Sequence, residues 1–152
     1  MSDGSWDQDF DPNFSDHLES AFVEGNSWQW TPFVPHDPEG LAKLMGGKEA
    51  FGEWLDKLFS TKSKVSGENS SGDITGLIGQ YAHGNEPSHH IPYLYQFTDR
   101  PWRTQEVLDF ILTSFYTPTP DGIIGNEDCG QMSAWYVMNA IDQTNINKII
   151  KF

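Results

Sequence analysis

The sequence is poor in cysteine, in positive charge and in long apolar runs, and each shortage excludes a class of protein. Cys129 is the single cysteine among 152 residues, which rules out an internal disulfide framework and a cysteine-based zinc site. Nine lysines and arginines stand against 22 aspartates and glutamates, and the formal net charge of −13 argues against nucleic acid or an anionic membrane surface as a partner. No apolar run approaches the roughly 20 residues that a membrane-spanning helix needs. A cation or a neutral polar ligand fits this chain better.

Aromatic residues, by contrast, are abundant. They make up 14% of the chain and include six tryptophans, more than a small core requires. Surplus aromatic side chains often form platforms for ring-shaped ligands such as sugars. The hydrophobic content of 37% suffices for one modest core, so we expect a single compact unit. Met1 is followed by Ser-Asp-Gly rather than by a basic and then apolar leader, and we therefore expect no export signal in the chain as given.

Apolar residues recur at the three-to-four-residue spacing of amphipathic helices, without an alternating strand pattern or an internal repeat. We expect residues 1–19 to form an extended lead-in, residues 20–140 to hold the motif-bearing helices, and residues 141–152 to form a divergent tail. One predicted helix starts near Asn26, another at Asp37 and another after Pro87. Further helices are predicted over about residues 50–59, 103–115 and 131–140, and a polar turn is predicted over residues 145–151. Residues 60–73, rich in Ser, Lys and Gly, predict a surface loop. The sequence thus predicts an all-α fold with long functional loops.

Two polar runs, each punctuated by glycine and each leading into an apolar helical stretch, carry most of the functional signal. They cover residues 83–90 and residues 125–131. Glycine allows tight turns, and carboxylates at a helix entrance lie near free N–H groups and the positive end of the helix dipole. Cys129 could act as a nucleophile with a histidine base, but its carboxylate neighbours oppose formation of the thiolate. Together the two runs predict a catalytic floor.

A third segment brings a family resemblance. The stretch Glu24-Gly25-Asn26-Ser27-Trp28-Gln29 resembles the Glu-Gly-Asn-Ala-Trp-Gln segment of family 92 glycoside hydrolases, the calcium-dependent exo-acting α-mannosidases. The two polar runs and residues 44–48 and 101–105 are similar to other segments of that family, in consistent order. The resemblance implies that the chain is part of an (α/α)6 toroid of helical hairpins. It also implies cleavage of terminal α-linked mannose from glycans, with inversion at the anomeric carbon.

The resemblance implies roles for individual residues. Glu24 is the expected general acid and Asp128 the expected general base, because an inverting glycosidase needs both, about 6.5 to 9.5 Å apart. Asn126 stands where many relatives have a further aspartate that helps to hold the attacking water. Asn85 and Glu86 are the expected Ca²⁺ ligands, since this cation prefers carbonyl and carboxylate oxygens. The residues expected to line the sugar pocket are Trp28, Gln29, His83, His89 and His90.

Simpler explanations stay open for several of these residues. Glu24 suits the start of an ordinary helix, and Asp128 suits a solvated loop. His89 suits a core position, and Trp135 suits packing beneath the loop. The alternative ligand of the histidine-rich run is zinc, but the run lacks the i, i+4 histidine pair of a His-Glu-x-x-His helix. Its candidate zinc ligands are His83, Glu86, His89 and His90.

The length of the chain limits what the resemblance implies. A complete family member has an N-terminal β-sandwich domain and a full barrel, whereas about five helices supply only part of the barrel. After Asn139 the sequence departs from the Leu-Gly-Phe-Tyr-Pro-Val continuation that is usual in the family. One hypothesis is a catalytic segment that works with a missing domain or self-associates through exposed helix faces. The other is a non-catalytic remnant that binds calcium or sugar weakly. Relatives of this kind are commonly exported, which implies a periplasmic or extracellular location.

Overall fold

Helices supply most of the regular structure, as the sequence predicts. The computed structural model describes residue 5 and residues 7–142, so the turn predicted over residues 145–151 lies outside the described residues. The α-helices are α1 (Ser27–Trp30), α2 (Pro38–Leu44), α3 (Lys48–Ser60), α4 (Trp102–Ser114) and α5 (Gln131–Asp142). The 3₁₀ helices cover Glu86–Ser88, Ile91–Phe97 and Asp128–Gly130. The all-α prediction is confirmed at this level.

Side chains just before the first two helices explain where those helices begin. The Asn26 side chain accepts a hydrogen bond from the Trp28 N–H at 3.0 Å, and the Gln29 side chain accepts one from the Asn26 N–H at 2.6 Å. This reciprocal capping box satisfies donors that α1 would otherwise leave open. Asp37 caps α2 in a similar way by accepting from the Gly40 N–H at 2.8 Å, with Pro38 in the first turn. Both predicted starts are confirmed.

The core lies between α3, the 3₁₀ helix Ile91–Phe97 and α4. The apolar face of α3 contributes Phe51, Leu55 and Leu58, and that of α4 contributes Leu108 and Ile111. Each of these side chains is at most 1% exposed. These residues follow the three-to-four-residue spacing that predicted the helices, because only one face of each helix packs inward. The helix predicted after Pro87 is a 3₁₀ helix, with a proline in its first turn.

A partly exposed ionic cluster joins α3 to the start of α4. Asp56 accepts a hydrogen bond from the Tyr95 hydroxyl at 2.8 Å and also bonds Arg100, and the Arg103 Nε lies 3.3 Å from its Oδ1. Burial by itself would raise the pKa of Asp56, but the Tyr95 hydrogen bond and the two guanidinium groups outweigh burial and lower it. The cluster therefore favours the ionised carboxylate and ties the two helices together.

A short antiparallel ladder departs from the strand-free expectation. Strands β1 (Leu77–Ile78) and β2 (Tyr81–Ala82) pair two residues each, which is too short for an alternating pattern to show in the sequence. The buried Gln80 at their turn donates its N–H to the Leu58 carbonyl at 2.8 Å. This bond fixes the ladder on the end of α3 and so positions the first polar run, which follows directly.

Several large apolar side chains lie on the surface. Leu44 at the end of α2 is 88% exposed, and Met138 and Ile141 on α5 are 56% and 75% exposed. Residues 60–73 are mostly irregular, as predicted, although Ser66 forms an isolated bridge with Phe14. Within the described ranges, none of the helices has both the length and the apolar character to cross a membrane.

Candidate active site

Backbone strain marks the two segments that carry the candidate acid and base. Among the described residues, the non-glycine positions with positive φ are Glu24 at 51°, Asp128 at 51° and Cys129 at 56°. A left-handed conformation is uncommon for residues with a Cβ and costs on the order of 1–3 kcal/mol. Such strain concentrates at functional sites, where surrounding structure enforces it. The observation makes both segments candidates for function.

The loop that carries Glu24 contacts the first polar run directly. Asn85 is buried, and its side-chain Nδ2 donates a hydrogen bond to the Glu24 carbonyl at 2.8 Å. The Glu24 side chain itself is exposed. Two segments that are 61 residues apart in sequence are therefore joined at the residues expected to supply the acid and the metal site.

The first polar run in turn contacts the second through a pair of carboxyl groups. A hydrogen bond to Glu86 raises the pKa of Asp128, and loss of solvation and the negative charges of Glu86, Asp73 and Glu127 raise it further. Glu86 and Asp128 therefore lie close together, and the negative groups around Asp128 favour its protonated form.

Two glycines allow the runs to approach this closely. A Cβ added to Gly125, whose φ is 72°, would lie 3.0 Å from the Gly84 Cα, and a Cβ on Gly84 would lie 1.9 Å from the Thr75 Oγ1. The backbones therefore pack against each other without intervening side chains. Beside this contact, the Asn126 Nδ2 reaches the Asp73 Oδ1 at 3.4 Å.

Asp73 is a site residue that the sequence interpretation missed. It comes from the loop of residues 60–73, and its charge helps to raise the pKa of Asp128. Nothing local in the sequence connects it to Asn126, 53 residues away. The carboxylate of Asp73 therefore lies beside the side-chain amide of Asn126 in the second polar run.

Three of the residues expected to line a sugar pocket lie in the core instead of on an open surface. His83 is fully buried, with Nδ1 2.8 Å from the Tyr81 hydroxyl and Nε2 2.7 Å from the Tyr116 hydroxyl. Burial, with a smaller effect of His89, lowers its pKa to about 3. The buried Gln29 uses both ends of its amide within the protein. Trp28 is 9% exposed and packs in the core cluster.

The other two candidate sugar residues border a cavity of about 720 Å³. His89 and His90 contribute to its wall together with residues 35–39 and part of α5, including Trp135. Burial lowers the pKa of His89, whereas the nearby charge of Asp128 acts to raise it. His90 contacts the Pro32 carbonyl at 2.9 Å. Glu24, Glu86 and Asp128 do not border this cavity.

The oxygen atoms around Glu86 suit a hard cation, although they do not form a complete cage of charged ligands. Among residue 5 and residues 7–142, no three His, Cys, Asp or Glu side chains are grouped so that they could hold a metal ion. Calcium also accepts carbonyl, amide and water oxygens, and it relieves repulsion between adjacent carboxylates. The Glu86 and Asp128 pair beside Asn85 fits an ion of this kind.

Comparison with known proteins gives one consistent answer. The family profile described as glycosyl hydrolase family 92 catalytic domain matches residues 1–141. A family GH92 α-mannosidase from Bacteroides thetaiotaomicron, solved in complex with mannoimidazole, is 41% identical with a TM-score of 0.78. The match covers 92% of this chain and 19% of that protein. A family GH92 inverting mannosidase from the same species is 38% identical with a TM-score of 0.65, over 91% of this chain and 19% of that one.

A curated relative extends the comparison to a fungus. An uncharacterized secreted glycosidase from Arthroderma benhamiae is 30% identical over 114 residues, which is 75% of this chain and 13% of the relative. The chain therefore spans less than a fifth of the length of each of these relatives.

Proposed function

The chain belongs to family 92 of the glycoside hydrolases, and we therefore propose that it is part of an enzyme that removes terminal α-linked mannose from glycans. The observation that carries this proposal is the contact among three distant segments. The Asn85 side chain donates a hydrogen bond to the Glu24 carbonyl, and the Glu86 carboxyl lies close enough to that of Asp128 to raise its pKa. Strained backbone at both Glu24 and Asp128 supports the same assignment.

In the proposed mechanism the two carboxyl groups act in one displacement. Glu24 donates a proton to the glycosidic oxygen as the bond to the anomeric carbon breaks. Asp128 takes a proton from the water that attacks the opposite face of the sugar. Asn126 and Asp73 adjoin Asp128 and hold that water in place by hydrogen bonding. The product is mannose with inverted anomeric configuration, the outcome that the name of one relative states for that relative.

Calcium is the proposed cofactor. Glu86 and the backbone carbonyl of Asn85 would hold it, and when bound it would orient sugar hydroxyls and stabilise developing charge. Isothermal titration with Ca²⁺ tests this step, comparing the unsubstituted chain with Glu86→Gln. The exposed Glu49 on α3 supplies the matched control, Glu49→Gln. We expect binding to weaken only in Glu86→Gln, and equal binding by all three chains would exclude Glu86 as a ligand.

Membership of the family also supports a proposal for the architecture of the whole domain and for its cellular location. The helices of this chain would form one part of an (α/α)6 toroid, with the exposed apolar residues of α2 and α5 facing its remainder or a second copy. His89 and His90 would then contribute to the sugar pocket from the wall of the neighbouring cavity. An exported location is supported by the secreted description of the fungal relative.

Hydrolysis of two α-mannosides by this chain tests the proposed function. We expect Glu24→Gln to lose at least about a hundredfold in turnover of a mannose disaccharide, whose leaving group needs protonation, and far less on p-nitrophenyl α-mannoside. Equal losses on both substrates would remove Glu24 as the acid. Binding of mannose without any hydrolysis by the unsubstituted chain would instead favour the non-catalytic remnant.

A further inference from the structure

Two side-chain hydrogen bonds, one from Trp30 and one from Asn85, hold the backbone on either side of Glu24 in the loop before α1, and Trp30 has no role in the proposed function. We propose that Trp30, with the side chain of Asn85, is a positioning residue that fixes the Glu24 backbone in its left-handed conformation. This inference rests on the proposed role of Glu24 as the acid. The Trp30 hydrogen bond goes to the backbone next to Glu24, and we therefore assign its effect to Glu24.

The two bonds fix the two peptide planes on either side of the Glu24 Cα. The Trp30 Nε1 donates to the Val23 carbonyl at 2.9 Å, and this carbonyl belongs to the plane that precedes Glu24. The Asn85 Nδ2 donates to the Glu24 carbonyl at 2.8 Å, in the plane that follows. Because φ and ψ describe the rotations between these planes and the Cα, fixing both planes fixes both angles. The direction of the Cα–Cβ bond is then set as well.

The indole is itself held against the backbone that it anchors. A Cβ added to Gly25 would lie 2.8 Å from the Trp30 Nε1, so glycine is required for the indole to approach. The other face of the loop is anchored by the buried Asn26, whose Nδ2 donates to the Gln80 Oε1 at 2.9 Å. The clamp is therefore built from a capped helix and a buried polar contact, both independent of the carboxyl group of Glu24.

Release of the clamp has a defined consequence. A residue with a Cβ prefers negative φ, so Glu24 would relax toward that region once one plane is free. Its carboxyl would then move with the Cβ, away from the position in which it protonates the leaving group. If Trp30 positions Glu24, removal of its N–H donor should change the conformation of the Glu24 backbone, and that change can be measured independently of catalysis.

NMR of the folded chain tests the clamp without relying on activity. A positive φ shortens the distance between the amide proton and Hα of the same residue, so Glu24 should show a strong intraresidue NOE. We expect Trp30→Phe, which keeps an aromatic ring but removes the N–H donor, to weaken that NOE. The control Trp102→Phe changes a tryptophan that is 59% exposed and should leave the NOE unchanged. An unchanged NOE in folded Trp30→Phe overturns the proposal.

A second measurement covers the case in which Trp30→Phe fails to fold. In the unsubstituted chain the Trp30 indole N–H should exchange with solvent more slowly than that of Trp102, since only the former is bonded to a backbone carbonyl. Equal exchange rates would overturn the proposal.

Kinetics separate positioning from general stability. We expect Trp30→Phe to lower kcat on a mannose disaccharide about five- to tenfold, the effect of one hydrogen bond, with KM and turnover of p-nitrophenyl α-mannoside little changed. Equal losses on both substrates would contradict a role through Glu24. If the unsubstituted chain hydrolyses neither substrate, the proposed function fails for this chain, while the NOE and the exchange rates still decide whether the clamp exists.

Discussion

Buried His83 should make the stability of this fold sensitive to mild acid. Its ring is fully buried, its two nitrogens bond the Tyr81 and Tyr116 hydroxyls, and the Trp135 ring centroid lies 4.5 Å away. Burial, together with nearby His89, lowers its pKa to about 3 from the usual value of 6.5. The unfolded chain therefore binds a proton at this residue that the folded chain excludes.

The size of the effect follows from the two pKa values. The stability contributed by neutral His83 is complete above about pH 6.5 and falls by about 1.4 kcal/mol for each unit of pH below it, until the folded form also binds the proton near pH 3. Between pH 7 and pH 5 the loss from this one residue amounts to about 2 kcal/mol. That is a large fraction of the roughly 5–15 kcal/mol that stabilises a typical domain.

Guanidinium unfolding of the calcium-free chain at pH 7 and at pH 5 measures this loss. His83→Gln should be less stable at pH 7, because packing against the aromatic rings is lost, but it should lose about 2 kcal/mol less than the unsubstituted chain between the two pH values. His17→Gln, at an exposed position, is the matched control and should keep the full pH dependence. An identical pH dependence in His83→Gln and the unsubstituted chain would refute the argument.

Three further predictions concern the base, the ionic cluster and the surface. Asp128→Asn should reduce turnover of both the disaccharide and the aryl α-mannoside by at least about a hundredfold, and retained turnover would exclude Asp128 as the base. Asp56→Asn should cost about 1 kcal/mol at pH 7 in denaturant unfolding, discounted for partial exposure, because the carboxylate pairs with Arg100. That difference should shrink below about pH 4, since the pKa of Asp56 is lowered, and a constant difference would contradict the assignment. Leu44→Lys with Ile141→Lys should reduce self-association in sedimentation, whereas a monomeric unsubstituted chain would contradict an interface at these residues.

Sequence patterns predicted much of the helical fold because helix formation and helix capping depend on residues that are close in sequence. The stripe of Phe51, Leu55 and Leu58 and the caps at Asn26 and Asp37 each involve residues only a few positions apart. The two-residue strands escaped prediction because alternation needs a longer run to be visible. Their position depends instead on a backbone contact with the end of α3, which no local pattern encodes.

The candidate site was predictable as a set of segments but not as a set of contacts. The resemblance identified Glu24, Glu86 and Asp128, and the structure brings their segments together, while their catalytic and metal-binding roles stay predictions. Burial of His83 was not predictable, because one of its hydroxyl partners lies 33 residues away. The contact of Asp73 with the second polar run likewise arises from tertiary packing between segments without a shared motif.

The anomeric configuration of the first-formed sugar tests the central claim most directly. With calcium present, proton NMR of an α-mannoside during hydrolysis by this chain should show β-mannose first, because acid and base act on opposite faces. The signal should disappear in Asp128→Asn and when calcium is removed. Appearance of α-mannose first, or release of mannose at the same rate by Asp128→Asn, would contradict an inverting site built from these three segments.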